Sequence, residues 1–250
     1  MKKIIAANWK MNKNSKEAVE TITELSAILN NSLPDEKEVI IFPPFISLEA
    51  STHALVSGPF QFGAQDIYPA KEGAFTGEIS PSMILDAGAA WVLTGHSERR
   101  HILHENNTFV GQKTSFALAC GLNVIACVGE TLEEREAGKL YDVLTAQLNQ
   151  TLAKLPTPLS PERLVIAYEP VWAIGTGKTA NNEDIIEAHA IIRELLKDII
   201  GTSVSQTRIL YGGSVKAENA SEIIKLENVD GLLVGGASLK AESFAKIICA

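Results

Sequence analysis

The sequence predicts a single-domain α/β protein in which eight parallel strands close into a barrel surrounded by helices. Eight short runs are rich in branched apolar residues, and helix-like segments with apolar residues three and four positions apart lie between them. This alternation occurs about eight times in 250 residues, which is typical of a (β/α)8 barrel. No shift in composition and no linker divides the chain, so we expect one domain spanning residues 1–250.

The predicted elements follow one another in the order that such a barrel requires. Strands are expected near residues 4–7, 39–42, 60–64, 91–93, 122–128, 164–168, 207–211 and 229–234. The clearest helical patterns cover residues 15–30, 141–155, 181–200 and 241–248. An open doubly wound sheet is the alternative, but it usually has a glycine-rich turn after its first strand. This chain has Asn8-Trp9-Lys10 there, which favours the closed barrel.

The charge and the cysteine content limit which classes of binding partner and which cellular compartment we expect. The formal net charge is −8, the pI is about 5.2, and no cluster of Lys and Arg is longer than a pair. Nucleic acid and anionic membranes are therefore poor partners. The odd number of cysteines (Cys120, Cys127 and Cys249) is typical of reduced thiols in a cytoplasmic protein, and no zinc-ligand spacing occurs. The first apolar run stops at Asn8, too early for a secretory signal, and no run reaches the ~18 apolar residues of a membrane span.

Polar residues follow the first and fourth predicted strands, and catalytic residues of a barrel lie at the carboxyl ends of its strands. Asn8 and Lys10 are two positions apart, so on an extended segment they would face the barrel mouth together. The lysine would offer charge to a phosphate or a developing oxyanion, unless it simply reaches out to water. His96 falls where a helix begins, and the helix N-terminus would favour a neutral imidazole able to donate a hydrogen bond. A structural histidine is the alternative, and we interpret the remaining histidines as surface or helix-face residues: His53, His101, His104 and His189.

A carboxylate ends the sixth predicted strand. Glu169 precedes Pro170, which disfavours helical backbone at the glutamate and so ends the strand there. The apolar residues 171–174 then occupy a position where a loop is expected, and glycines follow at 175 and 177. We interpret this segment as a base at a strand end followed by a lid that closes over the substrate. Cys127, in the apolar fifth run, is interpreted as a small buried residue and not as a nucleophile.

Glycine-rich turns follow the seventh and eighth predicted strands, namely Gly212-Gly213-Ser214 and Gly235-Gly236. Bare backbone N–H groups at these two loops, with a helix N-terminus, commonly bind phosphate in barrels. Ordinary tight turns are the alternative. Residues 65–80, after the third strand, form a loop that exposes Phe75 at its tip, and either a partner subunit or a floppy loop would account for it.

Taken together, these motifs closely resemble the triosephosphate isomerase family. The segments that carry the resemblance are Asn8-Trp9-Lys10, residues 95–100 (Gly-His-Ser-Glu-Arg-Arg), residues 168–180, residues 211–215 and residues 231–238. They occur in the family's order, and the resemblance covers essentially the whole chain. The only visible departures lie at Leu103, Asn106 and Asn107, which puts local packing and helix capping in question and not the activity.

The resemblance implies a TIM barrel that interconverts dihydroxyacetone phosphate and D-glyceraldehyde 3-phosphate without a metal or organic cofactor. It makes Glu169 the base that moves the proton, and His96 the neutral group at the substrate oxygens. Lys10 and Asn8 would contact the substrate. Glu98, near Lys10, and Ser97 would support these groups without contacting the substrate. Backbone N–H groups would hold the phosphate at Gly175, Ser214, Gly235 and Gly236. The 65–80 loop would insert Thr76 into a neighbouring subunit, which makes a homodimer.

Two other functions fit parts of the pattern. A catalytically silent phosphosugar-binding barrel would keep the glycine-rich turns but would be free to lose Glu169, His96 or Lys10, and all three are present. A barrel aldolase needs a Schiff-base lysine on a buried central strand, and Lys10, near the mouth, is the only candidate. Trapping with borohydride in the presence of substrate would separate the aldolase from an isomerase.

Overall fold

In the computed structural model, eight parallel strands pair in chain order, and β1 pairs with β8 to close the barrel. The structure describes residues 1–30, 33–55, 58–174 and 179–250. The strands are β1 (Lys3–Asn8), β2 (Lys37–Phe42), β3 (Phe60–Ala64), β4 (Trp91–Thr94), β5 (Asn123–Val128), β6 (Leu164–Tyr168), β7 (Arg208–Tyr211) and β8 (Gly231–Val234). All eight predicted strands are confirmed, with ends that differ by at most two residues, and so is the predicted barrel.

Helices connect successive strands around the outside of the barrel. Within the described ranges they are α1 (Ser15–Ile28), α2 (Phe45–His53), α3 (Pro81–Asp86), α4 (Ser97–His101), α5 (Asn107–Ala119), α6 (Leu132–Glu136), α7 (Leu140–Thr151), α8 (Asn182–Ile200), α9 (Ala217–Ile223) and α10 (Ala241–Ile248). None of these helices combines the length and the apolar character that crossing a bilayer requires. Asparagine side chains cap the start of α1, α5 and α8. One of these is Asn106, which accepts from the Phe109 N–H at 2.9 Å, so the departure at this position leaves the helix capped.

Alternation along the strands divides the core into two layers. Inward-facing residues fill the barrel with side chains that include Phe42, Trp91, Ile125 and Cys127. Outward-facing residues join the apolar faces of the helices in a second, larger cluster. Burial raises the pKa of the Cys127 thiol well above its ordinary value, and this agrees with the interpretation of Cys127 as a small apolar residue.

His189 lies on the buried face of α8. It is fully buried, so of the two expected placements, surface or helix face, the helix face is confirmed for it. Its Nδ1 lies 3.0 Å from the carbonyl oxygen of Asn228, and its ring packs on Tyr168 and Tyr211 with centroids 5.9 and 6.5 Å away. Nε2 has no hydrogen-bond partner among the described residues. Burial disfavours the imidazolium and lowers the pKa of His189 to about 4.

This histidine makes stability depend on pH. A pKa of 6.5 in the unfolded chain and about 4 in the folded chain means that the unfolded chain binds the extra proton between these values. The contribution is complete above pH 6.5 and is lost as the pH falls towards 4. Between pH 7.5 and pH 5, we expect the wild type to lose about 2 kcal/mol more stability than His189→Gln, which keeps a donor for Asn228. Urea unfolding at one protein concentration measures this difference. His53→Gln, at an exposed histidine, should retain the wild-type dependence, and equal slopes for all three proteins would contradict the assignment.

Candidate active site

The carboxyl ends of the strands surround a cavity of about 460 Å³. It is lined by residues that the sequence singled out after five different strands, namely Asn8, Lys10, His96, Glu169, Ser214, Gly235 and Gly236. These residues are distant in sequence, and barrel closure brings them to one mouth. The predicted phosphate contact Gly175 lies outside the described residues, whereas Ile174, just before it, lines the cavity.

Glu169 directly follows β6 and is buried, with 2% of its surface exposed. Its Oε1 lies 3.0 Å from His96 Nε2, and its Oε2 accepts from the backbone N–H of Ser97 at 2.8 Å. Burial raises the pKa of this carboxyl, but His96, the Ser97 N–H and Lys10 together outweigh burial, so the pKa is lowered. These contacts favour the ionised carboxylate even though the side chain is almost fully buried.

Two glycines allow other strand ends to approach this carboxylate closely. A Cβ on Gly129 would lie 1.9 Å from the Glu169 carbonyl oxygen, and a Cβ on Gly212 would lie 3.0 Å from Glu169 Cγ. Any side chain at Gly129 would displace the backbone that carries the carboxylate. The glycine next to β5 thus helps to fix where the carboxylate lies.

His96 is the N-cap of α4, as predicted, and its ring orientation follows from that position. The backbone N–H of Glu98 donates to Nδ1 at 3.2 Å, so Nδ1 carries a lone pair. The proton of the neutral ring is then on Nε2, which lies against Glu169 and lines the cavity. The fold therefore selects the tautomer that presents an N–H donor to the site.

Lys10 reaches the cavity by a route that the sequence did not predict. β1 ends at Asn8, and Lys10 has a positive φ of 53°, so the expectation that both lie on one extended segment is wrong. Asn8 Oδ1 accepts from the Lys10 N–H at 3.0 Å, and Gln65 Nε2 donates to the Lys10 carbonyl at 2.8 Å. These two amides stabilise the unusual backbone. The Lys10 ammonium lies 2.7 Å from Glu98 Oε1, where the resemblance places its partner.

Two glycines that follow β8 expose bare backbone to the cavity. A Cβ on Gly236 would meet no atom within 4 Å, and one on Gly235 would approach only Lys10 Cε, at 3.6 Å. The two glycines lie several residues before the last helix. They lead into a short 3-10 turn (Gly236–Ser238), and α10 begins at Ala241. Trp9 Nε1 donates to the carbonyl of Ser238 at 3.2 Å, which ties this turn to the end of β1.

The segment after Glu169 is anchored by a carboxylate to which sequence reasoning gave no role. Glu130 follows β5, and its Oε1 accepts from Trp172 Nε1 at 2.8 Å and from the Tyr168 hydroxyl at 3.0 Å. Burial raises the pKa of Glu130 despite these donors. The position of Glu130 at a strand end could have marked it as a candidate site residue. Its partner Trp172 lies 42 residues away, so the contact between them was not visible in the sequence.

The 65–80 loop leaves the barrel beside a group of buried charges. Asp66, at its start, lies 2.8 Å from Lys113 Nζ and 2.7 Å from Arg99, and Glu105 bridges both of these cations. The loop tip is exposed at Thr76 and at Phe75, whose ring lies 4.4 Å from that of Tyr68. Sequence reasoning did not identify this charge cluster, because its members are distributed along the chain.

Comparison with known proteins identifies the family. A family model described as triosephosphate isomerase matches residues 3–250. The chain is 57% identical to a protein named triosephosphate isomerase from Oleidesulfovibrio alaskensis, and the match covers all of both chains. It is 55% identical over the full length of both chains to the protein of that name from Nitratidesulfovibrio vulgaris strain Miyazaki F. A third protein so named, from Lawsonia intracellularis, is 53% identical over 99% of this chain and 98% of its own. The chain belongs to the triosephosphate isomerase family.

Proposed function

We propose that this isomerase interconverts dihydroxyacetone phosphate and D-glyceraldehyde 3-phosphate through an enediolate, with Glu169 as the base. The observation that carries the proposal is the facing pair at the cavity. An ionised carboxylate lies 3.0 Å from an imidazole Nε2 that bears a proton in the neutral ring. Removing a proton beside a carbonyl requires both a base and a donor at the oxygen that gains charge.

The reaction follows from these groups. Glu169 removes a proton from the carbon next to the carbonyl, and the C–H electron pair forms the carbon–carbon double bond of the enediolate. The charge that develops on oxygen is stabilised by His96 Nε2–H and by the ammonium of Lys10, with Asn8 beside it. Glu169 then returns the proton to the neighbouring carbon, while the hydroxyl proton passes to the other substrate oxygen by way of His96 Nε2, so that the carbonyl and the hydroxyl exchange places. Since Nε2–H points at Glu169 in this structure, a substrate oxygen would take the place of Glu169 as its acceptor.

The phosphate would bind bare backbone in the part of the cavity formed by the turns after β7 and β8. Ser214, Gly235 and Gly236 line it there, and Gly175 would add a donor from the lid. Ser97 and Glu98 would not contact the substrate. Ser97 would position the Glu169 carboxylate, and Glu98 would position the Lys10 ammonium. We further infer that residues 1–250 form one catalytic domain working in the cytoplasm, as a homodimer that inserts Thr76 of the 65–80 loop into the partner's site.

The lid should protect the intermediate. An enediolate phosphate can eliminate phosphate when the site is wet or misaligned, and this produces methylglyoxal. Deleting residues 174–176 should therefore raise the methylglyoxal formed per turnover while slowing isomerisation. Assay of both products from one reaction measures the ratio, and an unchanged ratio would argue against this role of the lid.

A coupled assay tests the proposal itself. Purified protein is supplied with D-glyceraldehyde 3-phosphate, and the dihydroxyacetone phosphate formed is reduced by a NADH-dependent dehydrogenase. We expect turnover that needs no added metal and persists in chelator. A protein that binds the substrate without turning it over would instead be the silent phosphosugar-binding barrel.

A further inference from the structure

The cavity has an uneven charge distribution. Three of its lining residues, Lys10, Glu169 and Lys216, belong to residue types that are charged at neutral pH. The ammonium of Lys10 is paired with Glu98 at 2.7 Å, so part of its charge is already compensated before any substrate arrives. Glu169 adds a negative charge. A second cation without a carboxylate partner would strengthen the attraction of this site for a phosphate dianion.

Lys216 is such a cation. It is exposed at the cavity wall two residues after Ser214, in the loop that follows β7. No carboxylate in the described part of the chain lies within 4 Å of its ammonium, in contrast to Lys10. Its positive charge is thus available to a ligand at the phosphate side of the cavity.

The backbone that carries Lys216 is held in place. Asn219, on α9, uses both ends of its amide for this purpose. Its Nδ2 donates to the Ser214 carbonyl at 3.0 Å, and its Oδ1 accepts from the Lys216 N–H at 2.8 Å. The Asn219 side chain thereby holds both the turn that is proposed to bind phosphate and the backbone of Lys216. The position of Lys216 relative to the turn is therefore built into the fold.

We propose that Lys216 recognises the phosphate dianion of the substrate, attracting it to the mouth and favouring phosphorylated over unphosphorylated trioses; this rests on the proposed function. The protein carries a net charge of −8, so its overall field repels a dianion. A single uncompensated cation at the mouth offsets that repulsion locally, within the ~8–10 Å over which physiological salt leaves charges unscreened. Lys216 acts on capture of the substrate, and the proton transfer at Glu169 proceeds without it.

Lys216→Gln tests this assignment, with Lys225→Gln as the matched control. Lys225 is an exposed lysine just after α9 that does not line the cavity, so both variants lower the net charge equally. We expect kcat/KM of Lys216→Gln for D-glyceraldehyde 3-phosphate to fall about 3- to 10-fold at low ionic strength, and less at physiological salt. The inhibition constant of inorganic phosphate should rise by a similar factor, while kcat stays the same. Lys216→Arg should restore both values.

An unphosphorylated substrate completes the test. For D-glyceraldehyde, kcat/KM of Lys216→Gln should equal that of the wild type, because no dianion is present to be attracted. Equal losses in Lys216→Gln and Lys225→Gln would overturn the proposal, and so would an equal loss with both substrates. A wild type without isomerase activity would overturn the proposed function instead, so the two failures are distinguishable.

Discussion

Replacing Glu169 with glutamine is expected to lower kcat about 10³-fold, within the 10²–10⁴-fold contribution typical of general base catalysis. An amide cannot take up the proton, yet it has nearly the shape of the carboxylate. In the wild type, two donors face Glu169, namely the Ser97 N–H and His96 Nε2–H. Because glutamine has only one acceptor oxygen, one of these donors would lose its acceptor. We therefore also expect a loss of about 1–3 kcal/mol in stability, without loss of the fold.

The control for this variant is Glu133→Gln, which makes the same chemical change at an exposed glutamate of α6. It should be indistinguishable from the wild type in the coupled assay. Circular dichroism and thermal unfolding would verify that Glu169→Gln is folded at the assay temperature. A folded Glu169→Gln with near-wild-type turnover would show that another group is the base.

Replacing His96 with asparagine is expected to cost about 10²–10³-fold in kcat, the usual loss when one donor to a developing oxyanion is removed. Asparagine is a favourable N-cap, and its Oδ1 can accept the Glu98 N–H that His96 Nδ1 now accepts. The substitution thus keeps the start of α4 and deletes the Nε2–H. Because His96 lowers the pKa of Glu169, the acid limb of the kcat/KM profile should also move to higher pH.

His101→Asn provides the matched control, since His101 is an exposed histidine on the same helix. It should leave both kcat and the pH profile unchanged. A loss of less than about 5-fold in His96→Asn, with an unmoved acid limb, would contradict a role for the imidazole in the transition state.

Much of the barrel was predictable because its signals are local. Each strand is a short apolar run, and the polar residues that follow it lie at one end of the barrel once the strands are parallel. Asn8, His96 and Glu169 were predicted to share a site on this reasoning alone, and they line one cavity. The residues also suggested a base at Glu169 and a neutral donor at His96, and the resemblance to a known family supplied the reaction.

The rest depends on contacts between distant residues. The left-handed backbone of Lys10 is stabilised in part by Gln65, 55 positions away, and nothing near Lys10 in the sequence predicts it. The contact of Glu130 with Trp172 and the burial of His189 likewise require the closed barrel. The sequence also did not predict that Lys10 is paired with Glu98 while Lys216, at the same cavity, has no such partner among the described residues.

Isomerisation in D₂O tests the central claim, that a protein base moves a proton between two carbons, most directly. Dihydroxyacetone phosphate is converted by the wild type in D₂O, and the product is trapped and examined by ¹H NMR. A carboxylate that exchanges its proton with solvent while the enediolate persists would place deuterium at C2 of D-glyceraldehyde 3-phosphate. A folded Glu169→Gln variant that incorporates deuterium at C2 at the wild-type rate would show that another group moves the proton and would contradict the assignment of Glu169 as the base.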